Sequence, residues 1–370
     1  MNQELRIGHV ISPKTWRGGE QQAIWLYEDL DKLGVYQIIF CVSGSATEKY
    51  CREHGIRYRA FRKRLSLDVV FARNLAKSCK EENIQILHPH GSGGHTLALL
   101  SIDLFHNSCS IVLHRRVDFP ISDSWLSRYK YNHPQIKKIL CVSEAIREIM
   151  IPSIKRKEIL DVIYDGIDIR RFQHTPGRKL RNKFHFEDTL PLIGNVAALT
   201  QQKDYFTFID TVEELNRRGV RAHFLAIGDG KQSTELKEYA KSKGVDSFLT
   251  FTGFRHDIPE ILPELDIFLF TSETEGLGTS ILDAFAAGVP VVSTNAGGIP
   301  EIVHHLKNGF LAEVKNPRLL ADGVELALNK EDEKCAWIKQ ARLDVESFSR
   351  EKMAAEILKR YIEIIASEKH

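Results

Sequence analysis

Cysteine is sparse in this chain of 370 residues, and the six present (Cys41, Cys51, Cys79, Cys109, Cys141 and Cys335) form no CxxC pair and no dense spacing. That excludes a disulfide-stapled scaffold and suits reduced thiols in a cytoplasm. Long apolar runs are missing too: no uninterrupted stretch approaches the roughly 20 residues that span a bilayer. The first residues, "MNQELRIGHVIS", enter strand-like sequence almost at once and lack the charged-then-apolar build of an export leader. A chain that neither spans a membrane nor is exported is therefore expected. Low-complexity tracts are absent, and 43% hydrophobic with 27% charged residues is a globular composition, so disorder is a poor fit.

Net charge is small, +2, but it is unevenly placed. Up to Phe172 there are 26 Lys+Arg against 19 Asp+Glu, an excess of 7; the remainder holds 25 against 30, a deficit of 5. The basic half carries the clusters "RKR" at 62–64, "RR" at 115–116 and "KRK" at 155–157. Each is either an ordinary solvated face or an attractor for anionic lipids, acidic glycans or phosphates. Nucleic acid is a poor candidate partner, because the clusters lack interleaved aromatics and no recognisable binding module surrounds them.

What is present is a repeated grammar. "LRIGHVIS" has the pattern of a strand, "GGEQQAIWLYEDLDKLG" that of an amphipathic helix stopped by Gly34, and "VYQIIFCVSG" that of a second strand. Short apolar runs alternating with helical periods predict βαβ units and a parallel sheet. The pattern continues through "IQILHPHG", "CSIVLHRR" and "KKILCVSEAI", lapses around "VIYDGIDIRRFQHTPG", and restarts at "LPLIGNVAAL". The expected fold class is α/β, with two Rossmann-like doubly wound domains facing a cleft. The expected boundaries are 1–163 for an acceptor-binding domain, 164–177 for a connection, 178–345 for a donor-binding domain, and 346–370 for a closing helix packed across both.

The stretch "LDIFLFTSETEGLGTSILDAFAAGVP" carries the chemistry. A buried parallel strand ends in a glycine-spaced turn, and open α/β sheets bind ligands at such carboxyl ends. A helix is predicted to start near Thr279 and to stop at Gly288, with Pro290 preventing continuation. The amides of Gly276, Leu277, Gly278 and Thr279 then converge at a helix N-terminus, a natural phosphate site. At 100° per residue Ile281, Leu282 and Phe285 face a core, while Asp283 sits across from them with Thr279 and Ser280. Two acids, Glu275 and Asp283, bracket this anion site. Either they complement the helix dipole, or they accept hydrogen bonds from hydroxyls on either side of a diphosphate, as a nucleotide sugar offers.

With these residues in order, the sequence resembles the family 4 retaining glycosyltransferases of the GT-B fold over nearly its whole length. The family's acidic motif, Glu, seven residues, Glu, matches Glu275 and, with a shorter acid, Asp283. "GGEQQ", "VSEAI", "DGID", "GDG" and "NAGGIPEIV" match in order. The resemblance implies that Glu275 contacts the donor sugar and Asp283 the ribose. It also implies that Lys203, in "NVAALTQQKDY", holds the diphosphate where the family pairs a Lys with an Arg; here Ala198 occupies the Arg position. Further donor contacts are expected at Gly18, Gly19, Gly228, Gly253, Phe254 and Arg255. His114, ending "SIVLH", falls where the family places a histidine on the transferred sugar, with a satisfied strand-end histidine as the plain alternative. Lys203, Glu275 and His114 are the catalytic candidates.

His88, His90 and His95 in "LHPHGSGGH" have spacing compatible with a shared ion, but no carboxylate or thiol partner is evident, so no metal is expected. His90 and His95, with Arg115 and Arg116, are instead the acceptor-side candidates, the two arginines suited to a phosphate on acceptor or donor. The resemblance implies transfer from a nucleoside diphosphate sugar, UDP first and GDP next, to an acceptor hydroxyl with retention. No cofactor beyond that co-substrate is expected. The expected acceptor is a glycan or lipid-linked glycan of bacterial lipopolysaccharide, glycolipid or exopolysaccharide synthesis, with peripheral contact at the anionic inner membrane face. The alternatives are a nucleotide-sugar epimerase or phosphorylase, and a non-catalytic sugar-nucleotide-binding protein. Product from donor alone marks an epimerase; binding of free sugar as tight as that of nucleotide sugar marks a binding protein.

Overall fold

Strand β1 (Arg6–Ile11) is buried along almost its whole length, which is what a strand flanked on both faces by helices requires. It lies mid-sheet among β2 (Tyr36–Val42), β3 (Tyr58–Phe61), β4 (Ile86–Pro89), β5 (Ser110–Arg115), β6 (Ile136–Cys141) and β7 (Leu160–Val162), in the order β3-β2-β1-β4-β5-β6-β7. Every pairing is parallel. The second sheet holds β8 (Leu192–Val196), β9 (His223–Ile227), β10 (Leu249–Gly253), β11 (Ile267–Phe270), β12 (Val291–Thr294) and β13 (Phe310–Ala312), in the order β10-β9-β8-β11-β12-β13 and again all parallel. Helices connect successive strands, as the alternating periodicity predicts.

This computed structural model describes residues 5–172 and 177–368. It divides into one unit of Met1–Gly166 with Arg350–His370 and a second of Ile167–Ser349. Residues 173–176 of the expected connection lie outside the described residues. The closing helix, Arg350–Ser367, belongs to the first unit: Met353, Ala354, Ile357, Tyr361 and Ile364 join Ile7, Leu26, Leu30, Ile86, Val112 and Leu140 in one core. The second unit is built around Ile193, Phe208, Phe224, Ile267, Leu269, Val292 and Trp337. Five of the six cysteines are buried, and all six are unpaired. No helix among the described residues is long and apolar enough to cross a membrane.

Candidate functional site

In the second unit, β11 delivers the chain to the turn at 271–278, and helix Thr279–Ala287 follows with the bounds that the glycines predict. Gly278 precedes the helix at φ +92° and Gly288 ends it at φ +71°, left-handed conformations that side chains resist. The Lys203 ammonium is ion-paired to Glu275 Oε2, and Ser272 Oγ donates to the same oxygen at 3.3 Å. Thr271 Oγ1 donates to the carbonyls of Lys203 and Asp204 at 3.2 and 3.0 Å, tying the loop after β8 to the end of β11. Residues 72 positions apart thus meet where two adjacent strands end. The "NAGG" segment locks the arrangement. Gly298 N donates to Glu275 O at 3.2 Å, and at Gly297, φ +50°, an added Cβ would lie 1.9 Å from that same oxygen.

Asp283 sits on a flank of the helix, half-buried, and burial raises its carboxyl to about 7, partly opposed by the Arg171 charge. The sign follows from proton counting. Between the ordinary carboxylate range and about pH 7 the folded chain holds a proton that the unfolded chain has released, so this group's contribution to stability falls as pH rises through that window. Asp283→Asn is expected to flatten the fall, giving a smaller difference between melting temperatures at about pH 5 and about pH 8, with the gain at the higher pH. An unchanged difference would remove Asp283 ionisation as its source.

The remaining donor-side candidates fare unevenly. Gly228, φ +149°, pairs with Gly253 across an antiparallel bridge, and a Cβ on it would stand 2.0 Å from Ala197 O, so local packing alone demands glycine there. Phe254 is exposed and packs edge-on against His256. Arg255 is held by a fork to Asp257 at 2.8 and 2.6 Å, a partner that the sequence spacing did not single out.

In the first unit, Gly18 and Gly19 open helix Gly18–Lys32, and an added Cβ at either would meet nothing within 4 Å. Packing does not explain these glycines; close approach of a ligand would. Gly19 lines a cavity of about 570 Å³, shared with His90, His95, His114, Arg115 and Arg116. The structure therefore brings all four acceptor-side candidates and one catalytic candidate around one space. His114 accepts from Arg116 Nη2 at 3.0 Å through Nδ1, which places its proton on Nε2, 3.5 Å from Asp165 Oδ1. Arg116 Nε contacts both oxygens of Asp165, at 2.9 and 2.8 Å. Burial, aided by the Arg116 charge, holds the His114 imidazole far below its ordinary value, and it is neutral.

The histidine grouping differs from the one the spacing suggests. His9 on β1, not His95, joins His88 and His90, the three offering nitrogens within 4.8 Å of one another. Within this cluster Gln37 Nε2 donates to Tyr27 O, His9 Nε2 to Gln37 Oε1 at 2.9 Å, and His90 Nε2 to His9 Nδ1 at 3.0 Å. His88 Nδ1 meets the Tyr361 hydroxyl. Burial lowers His9 to about 4 and His88 and His90 well below the ordinary range, so the stack is a neutral hydrogen-bonded column. His95 is equally buried and stacks edge-on with Tyr131. Arg17, Glu20 and Lys130 also line the cavity and were missed in sequence. Lys130 in particular lies in a surface-like stretch with no motif to mark it.

Two family models cover most of the chain: "Glycosyltransferase Family 4" over residues 16–171 and "Glycosyl transferases group 1" over residues 177–344. The chain belongs to the family 4, group 1 glycosyltransferases. A relative in Bacillus anthracis, N-acetyl-alpha-D-glucosaminyl L-malate synthase, is 25% identical over 82% of this chain and 81% of its own. A putative colanic acid biosynthesis glycosyltransferase of Escherichia coli is 29% identical over 63% of this chain and 53% of its own length. Among solved structures, Anabaena HepE in complex with UDP and glucose superposes with a TM-score of 0.85 at 19% identity, covering 97% of this chain and 100% of that one. A glycosyltransferase from Rickettsia africae gives 0.85 at 22% identity, covering 98% and 99%. At these identities the structures establish the fold, GT-B, for this glycosyltransferase.

Proposed function

We propose that this glycosyltransferase moves a sugar from a nucleoside diphosphate sugar, UDP-linked by preference, to an acceptor hydroxyl with the anomeric configuration retained. The observation that carries this is the Lys203–Glu275 pair beside a helix N-terminus. Lys203 and the amides of residues 276–279 bind the diphosphate and stabilise the charge that grows on it as the glycosidic bond breaks. Glu275, anchored through its backbone by Gly297 and Gly298, accepts from sugar hydroxyls, and Asp283 addresses the ribose. With both acids on donor contacts, no covalent intermediate is required. The acceptor oxygen bonds to the anomeric carbon on the face from which the diphosphate departs, and a donor phosphate oxygen takes its proton. Lys203 supplies cationic charge without calling on a metal. UDP is present in the HepE complex, and the relatives named above are an N-acetyl-alpha-D-glucosaminyl L-malate synthase and a putative colanic acid biosynthesis glycosyltransferase, which supports a nucleotide-sugar donor and a polar acceptor.

The donor is tested by a thermal-shift panel of UDP-, GDP- and ADP-sugars. A concentration-dependent rise with UDP-sugars alone is expected, and no rise with any of the three overturns the donor assignment. The acceptor side is proposed to work at an anionic membrane face. Arg62, Lys63 and Arg64 run into the exposed Leu65, Leu67 and Val70. Lys63 Nζ lies 3.4 Å from the Cβ position of Gly93, beside the cavity residue Ser92. Sedimentation with anionic but not zwitterionic liposomes is expected. Equal recovery with both argues for a soluble acceptor and a cytoplasmic enzyme without membrane contact.

A further inference from the structure

Two cations that line the cavity of the first unit, Arg115 and Lys130, have no carboxylate partner among the described residues. Arg115 is buried, yet its contacts are the Tyr131 hydroxyl at 3.2 Å, the Phe119 carbonyl and the rings of both residues; its Nε has no hydrogen-bond partner among the described residues. Lys130 donates to Ser92 O, Ser92 Oγ and Thr96 Oγ1 at 2.8, 3.0 and 2.8 Å, all neutral. Burial and the neighbouring Arg115 charge lower the Lys130 ammonium to about 8. Of the other charges here, Asp165 pairs with Arg116, and Glu20, which accepts from the backbone N–H of Arg17, feels the charges of Arg116 and Arg17. A buried and a half-buried cation side by side without a counter-ion are costly, and an anion between them relieves that cost. Gly91 and Ser92 line the same cavity at the start of the 14-residue helix Ser92–Phe105, whose first amides add positive potential.

We infer that this cavity binds an anionic group of the acceptor, a carboxylate or a phosphate monoester, held between Arg115 and Lys130. The inference rests on the transfer reaction proposed above and adds to it the chemical class of the acceptor. A guanidinium fork offers paired donors to either oxyanion, the ammonium adds point charge, and exclusion of water strengthens both.

Calorimetric titration of the full chain with inorganic phosphate, with succinate and with neutral succinamide tests it. Binding of at least one anion, none of succinamide, and roughly tenfold or greater weakening in Arg115→Gln and in Lys130→Met are expected, with the stronger anion identifying phosphate or carboxylate. Equal binding of succinate and succinamide with no phosphate binding in the unaltered protein overturns the inference without reliance on any variant. So does full anion affinity in both variants. UDP titrated in parallel separates the assignments: unchanged UDP affinity in the variants keeps the pair on the acceptor, whereas its loss transfers the pair to the donor and overturns the inference. Failure of every nucleotide sugar to bind the unaltered chain defeats the transfer reaction itself and is read independently of the anion titration.

Discussion

Lys203→Ala is expected to lower turnover with the cognate nucleotide sugar by about 10²- to 10³-fold, the effect of removing a charge-stabilising donor from a transition state. The reason is geometric. In the proposed reaction negative charge accumulates on the diphosphate as the anomeric bond breaks, and Lys203 sets an ammonium against Glu275 in the turn at 271–278. Because Ala198 stands where the family's arginine is expected, the proposed stabilisation rests on one residue instead of two. Glu275→Ala should lower turnover on a similar scale, losing both a sugar contact and the anchor of Lys203. The double variant should be far less impaired than the product of the two single losses, since the residues act as a unit. Loss of stability should be small beside the loss of turnover, since the two side chains, 23% and 15% exposed, keep a route to water for the charge either substitution leaves behind. Initial-rate kinetics beside urea unfolding decide it: near-normal turnover in both single variants removes the pair from the mechanism.

Arg350→Met is expected to have the largest effect on stability, about 3–5 kcal/mol, the usual result of leaving buried charge unpaired. Arg350 begins the closing helix, is 4% exposed, and reaches back to Glu28 at 2.7 Å and to Asp29, itself 4% exposed, with the Trp25 ring 5.5 Å from its guanidinium carbon. Among the described residues, substitution leaves Asp29 with Lys32 as its remaining cationic partner, at 2.7 Å from a largely exposed side chain. Urea unfolding should show a lower midpoint, and adding Asp29→Asn should recover part of the loss by removing the stranded charge. A loss below about 1 kcal/mol would show that apolar packing alone holds the helix.

The local features were legible because they are local. Strand and helix order, the bounds of helix Thr279–Ala287 and the left-handed glycines around it follow from periodicity and from φ preferences of single residues. The proximity of Lys203 and Glu275 came from a family likeness, since no periodicity relates residues 72 apart. What escaped the sequence was partnership. Arg255 is indistinguishable from a ligand-binding arginine until Asp257 is seen to hold it, and Gly228 from a phosphate-loop glycine until Ala197 O is found against it. The His9, His88 and His90 column joins two strands that are neighbours only because of the order in the sheet. Lys130 carries no signal, because an uncompensated charge is defined by what fails to surround it.

The return of helix Arg350–Ser367 to the first unit has a consequence for synthesis. The first core takes Met353, Ala354, Ile357, Tyr361 and Ile364 from a segment translated after the whole second unit. Domains ordinarily mature in the order in which they emerge. Here the second unit, complete by Ser349, has all its residues available before the first can seat its final helix. Until that helix is made, Ile7 of β1 and Leu26 and Leu30 of helix Gly18–Lys32 lack the apolar partners it brings to their core.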